Sequence, residues 1–189
     1  MNCYERRLPH WDVTGQPLFV TFRLHGSLPA NRVFPPARMT NGQAFVAMDR
    51  ILDNARIGPL WLRRPEIAQM IVQALQDGAH RFHRYTLHAF VVMANHVHLL
   101  VTPKVTAQHW LTPLKGFTGH QAIRMLGLRG APFWQDESFD RLVRDDQEFA
   151  RIHRYIERNP VKAGLVTVPE DFRWSSATPG GSPAAAQKG

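Results

Sequence analysis

The stretch from Tyr85 to Thr102 constrains this chain more than any other. It reads YTLHAFVVMA and then NHVHLLVT, dense in β-branched and aromatic residues, with Ala94-Asn95 as the expected turn. Two such runs joined by a short break predict a central antiparallel hairpin. An earlier run, Pro17 to Leu24, is also rich in β-formers and is closed by Gly26 and Pro29, so it predicts the first strand. A turn region over Asn31 to Pro36 follows.

Between these strands the period changes. Phe45, Met48, Ile51 and Leu52 give Gln43 to Ala55 the spacing of an amphipathic helix, and Ile67, Met70, Ile71 and Leu75 do the same for Pro65 to Ala79. Gln108 to Leu126 reads as a third helix. Pro113 and Gly116 are expected to delay its regular part to about Leu114. Phe133 to Val143 predicts a further strand or strand pair with an acidic turn. Asp145 is a candidate N-cap, with Glu148 completing a capping-box pattern, for a last helix striped by Phe149, Ile152 and Ile156. Pro160 should stop that helix at Asn159. Strands first, middle and last with helices between them predict an α+β sandwich, an antiparallel sheet with helices packed on it. Residues 1–177 are expected to form one domain. The tail from Thr178 to Gly189, TPGGSPAAAQKG, cannot form a packed face and is expected to be disordered.

Charge narrows the partners. Lys and Arg number 23 against 15 Asp and Glu, for a net charge of +8, a balance that attracts a polyanion, with nucleic acid the leading candidate. The single cysteine, Cys3, excludes an internal disulfide and any multi-cysteine metal site. No run approaches the roughly 20 apolar residues of a membrane span. A cytoplasmic, nucleoid-associated protein is expected.

His96-Val97-His98 is the sharpest local feature, because strand alternation sends both imidazoles to one face and Val97 to the other. Two ring nitrogens so placed could share one metal, although a chain with ten histidines also produces such pairs by chance. Near the end of the last helix, Tyr155 and Asn159 are one helical turn apart on a common face. Read alone, Tyr155 continues an apolar stripe and Asn159 precedes a proline. Together, two imidazoles and an amide oxygen suit a divalent ion with open positions, Mg2+ or Mn2+ rather than structural zinc. Such an ion could polarise a phosphodiester for attack by the Tyr155 phenol, leaving a 5′-phosphotyrosine linkage that stores the bond for rejoining.

The run Ala94 to Leu100 (ANHVHLL), Lys115 to Thr118 (KGFT), Phe133 to Asp140 (FWQDESFD), and Tyr155 to Leu165 (YIERNPVKAGL) followed by Trp174-Ser175-Ser176 resemble, in order and separation, the REP-associated tyrosine transposases. These belong to the single-tyrosine HUH superfamily, and the likeness runs from about Leu18 to Ser176. It implies a ferredoxin-like core with the histidine pair on a central strand and the nucleophile on a C-terminal helix. By motif position Tyr155 is the nucleophile, His96 and His98 are metal ligands, and Asn159 is the third ligand, where related insertion-sequence transposases often carry glutamine. The implied substrate is single-stranded DNA bearing an imperfect hairpin from repetitive extragenic palindromes, with a short guide sequence at its foot. A longer segment between Val33 and Arg64 and the proline before Lys115 depart from the pattern.

Candidate phosphate contacts are Arg23, Lys115, Arg124, Arg129, Arg141, Arg144, Arg154, Arg158 and Lys162, and Trp134 and Phe133 are candidate platforms for unpaired bases. A monomer is the expected assembly. Two other readings remain at this stage: a relative that binds hairpins without cutting them, and an RNA-processing nuclease.

Overall fold

A computed structural model of the chain describes residues 2–5, 9–28, 41–54 and 58–179. The expected turn over Asn31 to Pro36, and the tail from residue 180 onward, lie outside these. At the near edge of the tail, Thr178 is tied down by a hydrogen bond from its hydroxyl to the Phe172 carbonyl at 2.7 Å.

The chain opens with a small antiparallel pair that composition did not announce, β1 (Asn2–Glu5) and β2 (Pro9–Asp12). The principal sheet follows, built from β3 (Leu18–Arg23), β4 (Tyr85–Val92), β5 (His96–Pro103) and β6 (Phe139–Leu142). Its order is β4-β5-β3-β6, and every neighbouring pair is antiparallel. Helices α1 (Asn41–Asn54) and α2 (Pro65–His80) connect β3 to β4, α3 (Ala107–Leu126) connects β5 to β6, and α4 (Asp146–Lys162) follows β6. This is the expected α+β, ferredoxin-like arrangement, with the predicted hairpin in place as β4 and β5. Among the described residues no helix is long and apolar enough to cross a membrane.

Strand parity divides the interior in two. On one face Val20, Phe22, Val97, Leu99 and Val101 pack with Ile67, Ile71 and Leu75 of α2 and Trp110 and Leu114 of α3. On the other, Phe19, Ala89, Val91 and Leu100 meet Ile152 and Ile156 of α4. A bulge at His88, between Leu87 and Ala89, resets the parity of β4, so that Leu87 and Phe90 both join the first face. Each fully buried side chain of this size contributes roughly 1.5–3 kcal/mol.

Three sequence expectations change. Helix α3 is regular from Ala107, with Pro113 inside it, because Trp110, only 1% exposed, anchors the first two turns in the core. Helix α4 likewise runs through Pro160, which is buried with Asn159 against the body of the protein, and ends only at Lys162. There Leu165 N bonds Pro160 O at 2.9 Å and Gly164 N bonds Val161 O at 3.0 Å, with Gly164 at a φ of 70°, a Schellman closure that needs glycine's left-handed conformation. Finally, only Phe139–Leu142 of the segment from Phe133 is strand. Trp134 makes an isolated bridge to Leu24, and the residues between form a loop.

Asp145 does cap α4, accepting from Glu148 N at 2.7 Å. The reciprocal half of the capping box is replaced: Glu148, 1% exposed, accepts instead from Arg144 N at 3.0 Å, from the Arg144 guanidinium and from Arg141. Burial alone would raise the Glu148 carboxyl, but these donors outweigh it and hold it below the ordinary 4.5. Its contribution to stability is therefore complete above that pH and is lost as pH falls through the lower folded value. Glu148→Ala is expected to lower unfolding free energy by about 1.5–3 kcal/mol in urea melts at neutral pH, because the charge-assisted hydrogen bonds from Arg144 and Arg141 that hold the start of α4 are lost while the exposed arginines return to solvent.

Candidate metal and nucleophile site

Alternation along β5 puts His96 and His98 on the α4 side of the sheet, both fully buried, while Val97 enters the opposite core. Each ring is oriented from behind. His96 Nδ1 lies 2.7 Å from Asn95 Oδ1, and His98 Nδ1 lies 2.7 Å from Thr21 Oγ1, its register partner on β3. Both Nε2 atoms consequently point into one space, 3.1 Å apart. Hydrogen bonds behind ligating imidazoles fix tautomer and direction in this way.

A carboxylate absent from the sequence-based ligand set completes the cluster. Asp49 of α1, 1% exposed, places Oδ1 3.0 Å from His98 Nε2 and 3.9 Å from His96 Nε2. Asp49, His96 and His98 form a buried group able to hold a metal ion. The separations near 3 Å resemble those of adjacent ligand atoms around an octahedral ion with bonds of about 2.1 Å. Asp53, one turn further along α1, brings Oδ1 to 3.9 Å from His96 Nε2.

Tyr155 reaches the same point from α4. Its hydroxyl donates to Asp49 Oδ2, and its ring stands 5.6 Å from that of His98 and 6.2 Å, edge-on, from Phe19. The expected meeting of phenol and imidazoles is thus observed, with Asp49 as the link. Because α4 continues past Pro160, Lys162 lies two turns beyond Tyr155 on the same side. Its amine donates to Asp49 Oδ2 at 3.0 Å and Asp53 Oδ2 at 2.9 Å, and lies 5.4 Å from the centre of the Tyr155 ring. Asn159, fully buried one turn after Tyr155, leaves both amide atoms without a hydrogen-bond partner.

The charge states follow from burial and neighbours. Burial, reinforced by His98, pushes His96 well below its ordinary value, leaving the neutral ring that a metal requires. For Asp49 burial favours the acid, but His98, His96 and the Tyr155 hydroxyl together outweigh it and keep the carboxylate ionised. Burial and the adjacent Asp49 raise both Asp53 and Tyr155, and Asn159 pulls the phenol weakly the other way. Lys162 is raised, since its two carboxylates outweigh its desolvation.

The donor set fits a hard divalent cation. Among the described residues, Asp53 Oδ1 and the two amide atoms of Asn159 are buried without hydrogen-bond partners, and Asp49 Oδ1 has only the His98 ring beside it at 3.0 Å. Buried polar atoms are seldom left this way, and their concentration beside two inward-facing imidazole nitrogens is the arrangement an ion would satisfy.

The remaining candidates divide by environment. Trp134 and Phe133 are core residues, 5% and 4% exposed. The Trp134 indole donates to Thr118 Oγ1 at 2.9 Å and packs on Phe22, so neither ring is offered to a base. Arg141 and Arg144 are engaged by Glu148. Arg23 is half-buried and donates to Ser27 Oγ at 3.4 Å. The Lys115 amine donates to the carbonyls of Gln135 and Asp136 at 2.8 and 2.7 Å, and burial lowers it to about 8. Arg124, Arg129, Arg154 and Arg158 are exposed, the last two on α4 flanking Tyr155.

Sequence reasoning missed Asp49, Asp53, Thr21 and the orienting role of Asn95. For the carboxylates a signal existed: Asp49 and Asp53 stand one turn apart immediately beside the apolar pair Met48 and Leu52, where a solvated acid is out of place.

No protein-family model matches the chain, and no curated protein does. Among solved structures it is similar to a REP-associated tyrosine transposase bound to a REP hairpin, with a TM-score of 0.57 and 20% identity over 93% of this chain and 82% of that one. At this identity the likeness establishes a shared fold across nearly the whole chain.

Proposed function

We propose that this protein is a metal-dependent endonuclease and strand transferase that cuts and rejoins single-stranded DNA at hairpins, with Tyr155 as nucleophile. The observation that carries the reading is the double use of Asp49: one oxygen accepts the Tyr155 proton while the other faces the two histidine Nε2 atoms. A nucleophile and a cation site therefore share one side chain.

His96, His98 and Asp49 would hold the ion, with the Asn159 amide oxygen as a further ligand. Mg2+ or Mn2+ suits this mixture of imidazole and oxygen donors. When bound, the ion supplies positive charge that stabilises the non-bridging oxygens of the scissile phosphate and favours the phenolate. The Tyr155 oxygen attacks phosphorus, the bond to the 3′-oxygen breaks, and the 3′-oxygen departs to take up a proton. Asp49 Oδ2 is the atom positioned to receive the phenolic proton. Lys162 offsets the negative charge that two carboxylates and a phenolate bring together. A 5′-phosphotyrosine remains, and attack on it by a 3′-hydroxyl reverses the step. That Asp49, His96, His98, Tyr155 and Lys162 come from one chain supports a monomer as the working unit.

The net charge of +8, the exposed Arg124, Arg129, Arg154 and Arg158, and the hairpin held by the structural neighbour support DNA as the partner. Incubating the protein with a 3′-labelled hairpin oligonucleotide and Mn2+ is expected to give a labelled band at protein mass on a denaturing gel, abolished by EDTA and mapped to Tyr155 by peptide mass spectrometry. Hairpin binding with no adduct would identify a non-cleaving binder. Cleavage confined to the ribose version of the oligonucleotide would indicate an RNA nuclease.

A further inference from the structure

Two stretches singled out in the sequence, Lys115-Gly116-Phe117-Thr118 and Phe133-Trp134-Gln135-Asp136, take no part in the chemistry above, yet the fold joins them as one clamp. Lys115, Thr118 and Gly119 of α3 stand at i, i+3 and i+4, on one side of the helix. Each holds the second stretch by a different means. The Lys115 amine donates to Gln135 O at 2.8 Å and to Asp136 O at 2.7 Å. Thr118 Oγ1 accepts from the Trp134 indole at 2.9 Å. A β-carbon at Gly119 would stand 3.2 Å from Trp134 Cδ1, so glycine gives that ring its room. A lysine on a helix surface ordinarily keeps its amine in water. Here burial lowers it to about 8, and Arg23 pushes the same way against the carboxylates of Asp136, Asp140 and Glu137.

From the clamp a run of hydrogen bonds leads to the histidines. Strand β6 pairs with β3 only from Leu18 to Thr21. Beyond Thr21 the clamped stretch takes its place: Gln135 N donates to Arg23 O at 2.8 Å, His25 N donates to Phe133 O at 2.9 Å, and Trp134 bridges Leu24. On its inner side the same end of β3 holds Asn95, with Leu24 N donating to Asn95 O at 2.8 Å. The Asn95 side chain, in a residue 1% exposed, then faces two parts of the site. Its Nδ2 donates to Leu52 O of α1, the helix that carries Asp49, at 3.1 Å. Its Oδ1 is left to accept from His96 Nδ1 at 2.7 Å, so the His96 proton sits on Nδ1 and Nε2 faces the site as a lone pair.

We infer that Lys115 is a positioning residue for the metal site: by tying Gln135 and Asp136 to α3 it holds the end of β3 in place, and through Asn95 it fixes the tautomer and direction of His96. Without the amine, the outer side of residues 23–25 depends on a stretch anchored by the Trp134 indole alone, and the Leu24 bond that seats Asn95 loses its backing. Disturbing a group directly behind a ligating histidine typically costs about 10–100-fold in metal affinity. Lys115 acts one step further back, through backbone bonds, so a loss of about three- to tenfold is expected.

The inference rests on the reading of His96 as a ligand, and the test separates the two. Metal-free wild type, Lys115→Met, Lys115→Arg and Thr118→Val would be compared by proton–nitrogen correlation NMR of the histidine rings, then titrated with Mn2+ in calorimetry without DNA. Circular dichroism checks each fold, and Thr118→Val loosens the clamp from its other contact, so the outcome does not hang on one variant. The expected result is one His96 tautomer in wild type and Lys115→Arg, and exchange between tautomers in Lys115→Met and Thr118→Val. Mn2+ binding should weaken by about three- to tenfold in Lys115→Met and return to within about twofold in Lys115→Arg. An unchanged tautomer and affinity in Lys115→Met, with hairpin binding alone reduced, would assign the amine to DNA and overturn the clamp. Equal losses in Lys115→Met and Lys115→Arg would overturn it as well, by placing the effect in the packing of the side-chain stem. Disturbed tautomers in a protein that binds no Mn2+ even as wild type would remove the metal reading and leave the positioning role standing.

Discussion

Replacing Tyr155 with phenylalanine is expected to reduce covalent protein–DNA product by on the order of a thousandfold or more, while hairpin affinity changes less than about twofold. One oxygen is removed, and it is the only atom proposed to bond phosphorus. The ring contacts with Phe19 and His98 survive, and Asp49 Oδ2 keeps its ion pair with Lys162. Thermal stability should therefore fall by a few degrees at most, since a lost hydrogen bond to a charged group costs about 1.5–3 kcal/mol and the lysine retains part of that. Denaturing gels measure the adduct and anisotropy measures binding. Undiminished adduct in the variant would remove Tyr155 from the chemistry.

The second large effect is expected at Asp49. Asp49→Ala should abolish measurable Mn2+ binding in calorimetry and with it the adduct, because the ion would lose its carboxylate ligand and keep only the two imidazoles and the Asn159 amide. Asp49→Asn distinguishes charge from shape. It preserves the oxygen but removes the negative charge, and should weaken metal binding by about 10–100-fold, the scale of a disturbed ligand sphere. In metal-free protein the same substitution has a spectroscopic consequence. The Tyr155 phenol is held above its ordinary value of 10.0 by burial, by the Asp49 charge and by its hydrogen bond to that carboxylate. Its absorbance change should therefore appear only at strongly alkaline pH in wild type and move downward in Asp49→Asn. A raised folded value also means that stability from the protonated phenol is complete below the unfolded value and lost as pH rises towards the folded one. An unshifted titration would show that Asp49 does not govern the phenol.

Much of this arrangement could be read from residues, and the division between what could and what could not has physical causes. The paired histidines were legible because a strand has period two, which alone decides that positions 96 and 98 share a face. Tyr155 and Asn159 were legible through the helical turn. Local rules failed where burial overrode them: Pro113 and Pro160 were read as helix limits, yet Trp110 in one case and Asn159 with Pro160 in the other bury enough to carry the helix through. That misreading had a functional cost, since stopping α4 at Asn159 removed Lys162 from the site and left it among surface cations. Asp49 escaped because an amphipathic pattern directs attention to its apolar members. The partner that makes an acid beside Met48 meaningful lies on β5, far along the sequence.

The burial of the histidines sets a condition on turnover. With both imidazoles at 0% exposure and Asp49 at 1%, the proposed chemistry requires the packing around them to open before a phosphodiester can reach them, and α1, which carries Asp49, is one of the elements over them. That helix is held by polar contacts, Asn95 Nδ2 to Leu52 O at 3.1 Å and Lys162 to the two aspartates. Under the proposed function, turnover would carry a unimolecular opening ahead of the chemistry, so its rate would plateau with DNA concentration at the speed of that motion rather than of bond breaking.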